Sequence, residues 1–200
     1  MLGNRFGLGQ PYPTTKLIVI AGITAVLFVG GLLITERFGE YFVDVDFKPF
    51  FIVYVVLALV PWGRPTVAIG VGAALGEGFL DLIEGYEFDD PFGFVGYLVG
   101  FTVAGWFFRN DPTNRFKLAT GAIVGAFVQA SFEASAFVLI EREAMEAAFV
   151  SLIGNTITHG IILGIIPLFP CVTALYGRIE RFLGFAPKGT NIEQIVERIE

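Results

Sequence analysis

Three pairs of polar residues stand four apart inside otherwise apolar segments: Glu77 and Asp81, Gln129 and Glu133, Asn155 and His159. Residues four apart share one face of a helix, so each pair points one way. Ionisable groups within a membrane span cost roughly 2.5–3.5 kcal/mol each on insertion scales, and they are kept where they serve a site. Carboxylates, amides and one imidazole turned toward a common interior suit a cationic or hydrogen-donating solute. A protonated glutamic acid also serves a neutral one. The same residue types suit a proton or ion relay, or carboxylate and imidazole chemistry inside the membrane. Bridging between helices is an alternative role for Gln129 and Asn155, packing for His159, and snorkelling to an interface for Asp81.

Several chemistries are excluded. The glycine-rich run GVGAALGEG is not followed by Lys-Ser or Lys-Thr, so it is not a phosphate-binding loop. A single His removes a His-rich zinc site, and Cys171 stands alone, so there is no disulfide framework. A carboxylate-rich metal site from Glu77, Asp81, Glu133 and His159 stays open. No cofactor motif occurs. The net charge of −6 and the absence of a dense basic patch argue against nucleic acid as a partner.

The elements that must position these residues are membrane helices. Of the 200 residues 54% are hydrophobic and 16% charged, well below the charge of about 25% in a soluble domain. A lipid bilayer is the expected surrounding. Spans of about 20 apolar residues are predicted at Leu17–Ile34, Pro65–Glu84, Pro91–Phe108 and Phe116–Ile140. A short one at Phe50–Trp62 reaches back toward Phe47, and a long one runs from Phe149 to about Tyr176, with Pro167 and Pro170 as causes of a kink. The expected fold is an all-α integral membrane protein, a six-helix bundle over residues 1–187.

Ten Lys and Arg residues fall on the side of the two termini, and only Arg37, Lys48 and Arg142 on the other. The positive-inside rule makes this a multi-pass protein of the cell membrane with both termini cytoplasmic. In that orientation all six polar residues lie in the outer half. Aromatics such as Phe94, Tyr97 and Phe137 flank them, which is the composition of a small-molecule pocket. Acidic residues crowd the outer loops: Glu36 to Asp46, Glu87 to Asp90, and Glu141 to Glu146.

The first span carries AGITA, with Ala21 and Ala25 four apart near its cytoplasmic end. Together with six spans, cytoplasmic termini and an outward polar pocket, it resembles the substrate-binding S component of energy-coupling-factor vitamin transporters. The segment YEFDDPFGFVGYLVGF is similar to the way those proteins enter their fourth helix. The resemblance implies that Ala21 and Ala25 dock on a transmembrane T component and that ATPase subunits act in trans. It also implies that the loop Glu36–Phe47 closes over a vitamin-like solute. The tail from Lys188 to Glu200 reads as a short amphipathic helix, with Thr190 and Glu193 as a capping box and Ile192, Val196 and Ile199 on one face.

Overall fold

The computed structural model describes residues 12–35, 37, 45–85, 90–140, 142, 144–186 and 188. The tail helix expected beyond Lys188, most of the loop after the first span, and much of the other two acidic loops lie outside the described residues.

Among the described residues seven helices follow one another: α1 Thr14–Thr35, α2 Phe50–Leu59, α3 Arg64–Glu84, α4 Asp90–Phe108, α5 Arg115–Leu139, α6 Met145–Leu175 and a short α7 Arg178–Phe182. Five of them, α1 and α3 to α6, are long and apolar enough to cross a membrane. Large apolar side chains such as Val26, Ile34, Leu82, Phe116 and Phe149 face outward, while alanines, glycines and stacked aromatics fill the interior. The chain is therefore a helical, multi-pass membrane protein.

Local chemistry sets the helix ends. Pro65 opens α3, where the Thr66 hydroxyl accepts the Gly63 N–H at 3.3 Å. Asn114 caps α5 by accepting the Lys117 N–H at 3.1 Å.

The short segment departs from expectation. Helix α2 has 10 residues, about 15 Å at 1.5 Å per residue, half of what a bilayer core of about 30 Å requires. It stops before Pro61 and starts after Pro49, so it cannot extend in either direction. Its sequence FFIVYVVLAL is apolar on every face, and α2 accordingly sits at the centre, touching α1, α3, α4, α5 and α6. The missing length is supplied by a non-helical segment, Val45 to Pro49, which carries Asp46 and Lys48 into the bundle.

Helix α6 is continuous, and its middle, Thr156–Ile165, is wound as a π-helix, which the sequence reading did not anticipate. The wide turns end two residues before Pro167, which lacks the N–H that a regular α-helical ladder would need there.

The long helices form neighbouring pairs: α1 on α3, α3 on α4, α4 on α5, α5 on α6. At α1 and α3 the contact is backbone to backbone. A Cβ on Gly72 would collide with the Ala21 carbonyl oxygen, and one on Gly76 would lie 3.1 Å from that of Ala25. Below the site, Phe28, Phe50, Tyr54, Tyr97 and Phe101 form a buried aromatic cluster with ring centroids 4.9 to 6.2 Å apart. The two ends of the described chain meet. Tyr12 packs edge-on against Phe185, Lys16 donates to the Gly184 carbonyl, and Lys188 donates to the carbonyls of Ala58 in α2 and Phe108 in α4.

The α1–α3 contact makes a direct prediction. Gly72→Ala should destabilise the detergent-purified protein by about 1–3 kcal/mol, as overpacking does. Gly22→Ala on the same helix pair, where a Cβ meets nothing within 4 Å, should not. Thermal unfolding of the two variants side by side checks this, and equal midpoints would refute the close contact.

Candidate functional site

The segment Val45–Pro49 is irregular backbone inside a helical bundle, so its polar groups need partners. Helix α6 supplies them. Gly154 leaves room for the Val45 side chain, which a Cβ at that position would strike. At the next residue, Asn155 Oδ1 accepts the Asp46 backbone N–H at 3.1 Å, and Asn155 Nδ2 donates to Ser151 Oγ at 3.3 Å. A turn further, His159 Nε2 meets Asp46 Oδ1 at 2.5 Å. An ionised carboxylate only accepts, so Nε2 carries the proton. The His159 ring is fully buried and lies on Phe50 with centroids 4.6 Å apart, and its Nδ1 has no partner.

Lys48 turns the other way. Its ammonium lies 3.1 Å from Asp46 Oδ2, 3.1 Å from Glu77 Oε1 on α3 and 3.3 Å from Glu133 Oε1 on α5. The Tyr97 ring of α4 is 5.6 Å away. One lysine thus gathers acids from the loop and two helices.

Over this cluster opens a cavity of about 390 Å³ at the end of the bundle away from the meeting chain ends. Asp46, Lys48, Glu77, Asp81, Asp90 and Glu133 line it, with Phe94, Tyr97 and Phe137 as aromatic walls. Five carboxylates therefore face one ammonium. Tyr97 is 1% exposed, and its hydroxyl, like Glu77 Oε2, has no partner.

The six predicted polar residues divide into three groups, and the two predicted docking alanines lie elsewhere. Glu77, Asp81 and Glu133 line the cavity. Asn155 and His159 lie behind it and reach it through Asp46. Gln129 is buried on α5 against Gly96 and Gly100 of α4, and neither of its amide atoms has a partner. Ala21 and Ala25 contact α3, and Ala21 also borders an open apolar groove with Ile18, Val67 and Val71. Of the predicted lid Glu36–Phe47, Val45 to Phe47 belong to this buried segment. No group of three or more His, Cys, Asp or Glu among the described residues is arranged to hold a metal ion. The position between the acids that a cation would take is filled by Lys48.

Sequence reasoning left Asp46 and Lys48 in an outer loop. The signal that would have found them is the shortness of the second span, which required the preceding residues to enter the bundle.

Comparison of the chain with protein-family models, curated proteins and solved structures finds no match.

This geometry makes a prediction. Asn155→Leu strips the partner from a buried N–H and should cost about 1–3 kcal/mol, measured by thermal or denaturant unfolding; an unchanged midpoint would show that the segment is not held there.

Proposed function

We propose that this chain is a membrane-embedded binding subunit for uptake of a small, polar, cation-bearing solute, with both termini cytoplasmic and the cavity open to the outside. The observation that carries this reading is the cavity lining, five carboxylates and three aromatics around a single ammonium. Excess buried negative charge demands a counter-charge, and a desolvated carboxylate left alone is far costlier than one paired with a cation. Aromatic walls add stacking and cation–π attraction for a ring or an ammonium.

In this reading the solute's cationic group meets Glu77 and Glu133, while Asp81 and Asp90 at the mouth draw it in. The resemblance to the S components of energy-coupling-factor transporters assigns the rest. ATPase subunits in trans power uptake, and a transmembrane T component docks on the face of α1 that carries Ala21 and Ala25. The groove of Leu17, Ile18, Ala21, Val67 and Val71 between α1 and α3 supports a helix-sized contact there.

A second reading, a proton-coupled carrier acting alone, is favoured by the unbroken chain His159–Asp46–Lys48–Glu133 across the bundle.

Native mass spectrometry of the purified protein should find a stoichiometric cationic compound. Glu77→Gln and Glu133→Gln should each weaken its binding about 10- to 150-fold, the equivalent of one lost charge-assisted hydrogen bond. Binding by the isolated chain with uptake only when partners and ATP are present supports the subunit reading. Flux in proteoliposomes by the isolated chain would replace it with the carrier, and retention of an anionic compound would sink both.

A further inference from the structure

The acids and Lys48 in the cavity raise a question of occupancy. An ammonium has three N–H donors. The Lys48 ammonium faces three carboxylates, those of Asp46, Glu77 and Glu133, each within 3.3 Å. It therefore has no donor left over for an anionic group on a solute. One oxygen of each glutamate, Glu77 Oε1 and Glu133 Oε1, is already turned to Lys48, while Glu77 Oε2 has no hydrogen-bond partner. A solute ammonium entering the cavity finds its best electrostatic position taken by the protein's own cation.

We propose that Lys48 is the specificity-determining residue of this cavity, a tethered stand-in for the cationic group of the solute. Loading is an exchange: the solute's ammonium or guanidinium takes the place between Glu77 and Glu133, and the Lys48 side chain withdraws. The proposal rests on the reading of the cavity as a solute site.

Three features make the exchange physically reasonable. It replaces one cation by another, so the half-buried acids are never left uncompensated. A neutral solute would have to displace Lys48 with hydrogen bonds alone, and an anion would add to the excess negative charge. Lys48 also stands on non-helical backbone whose anchors, Asn155 and His159, hold Asp46 and not Lys48. The side chain can swing while Asp46 stays in place. Finally, the Tyr97 hydroxyl, buried, unpartnered and on the cavity wall, offers a hydrogen-bond partner beside the vacated position.

The test uses the full-length protein in detergent at constant ionic strength, with methylguanidinium as the cation, N-methylurea as its neutral counterpart and acetate as the anion. Binding is measured for wild type and Lys48→Met. In wild type, the rate of Lys48 acetylation by an amine-reactive ester is followed by peptide mass spectrometry, with Lys16 and Lys117 as internal references. We expect methylguanidinium to bind Lys48→Met at least tenfold more tightly than wild type. It should also speed Lys48 acetylation several-fold at concentrations that occupy the site. N-methylurea should do neither. Equal affinities within twofold, with acetylation unchanged or slowed, would overturn the exchange while leaving a cation site intact. Acetate binding that protects Lys48 would make the lysine a direct anion ligand and overturn it differently. Failure of methylguanidinium to bind either protein would remove both the exchange and the cation-site reading. If Lys48→Met does not fold, the acetylation arm in wild type decides alone.

Discussion

The structure turns on one constraint: five residues of non-helical backbone, Val45 to Pro49, lie inside a helical membrane bundle and must have their polar groups satisfied there. In lipid an unpaired N–H or carboxylate has no water to turn to. Helix α6 meets the demand with Gly154 for space, Asn155 for the Asp46 N–H and His159 for the Asp46 carboxylate. Helices α3 and α5 meet it from the other side with Glu77 and Glu133 for Lys48. Proline at position 49 removes one donor from the account. On α6, Asn155 and His159 are four apart, which keeps both on the face turned to the segment.

Two opposed arrangements follow from this. The long helices are locked by close contact. Small residues let α1 approach α3, and α4 approach α5, to backbone distance, a packing suited to a medium in which burial of apolar side chains gives little advantage over lipid. The loop segment packs Val45 on Gly154 and Pro49 on Gly31, but its Lys48 side chain is held by charge, an interaction that a polar solute can imitate. Between them, the aromatic cluster from Phe28 to Phe101 gives Phe50 and His159 a rigid base.

Much of this was legible in the sequence. Apolar length placed the long helices, since roughly 20 apolar residues have few other uses. Spacing of four placed Glu77, Asp81 and Glu133 on interior faces, and the structure brings all three to one cavity. The rest was hidden for definable reasons. Periodicity reports which residues share a face and says nothing of what stands opposite, so Gln129 read like Glu133 yet packs against the α4 backbone without a polar partner. Asp46 and Lys48 read as loop charges because they have no helix period to betray them. The π-helical winding of Thr156–Ile165 has no composition signal, and the two prolines beyond it pointed to a kink instead.

The division between locked helices and an imitable segment bears on how occupancy of the cavity is communicated. In the proposed reading, a solute leaves α1 on α3 and α4 on α5 in place, because those pairs meet through backbone. It competes with Lys48, whose contacts are electrostatic and whose backbone is not part of any helix. Helix α2, which that segment leads into, is only 10 residues long, is central, and touches α1, α3, α4, α5 and α6. At its far end, the carbonyls of Leu57 and Ala58 are held by Lys188, beside the meeting point of the two ends of the described chain. A short, central helix thus runs from the charged segment beside the cavity to the opposite face of the bundle, and in the proposed reading it links the two. Its shortness, forced by Pro49 and Pro61, is what places a charged segment at one end and a lysine-capped end at the other.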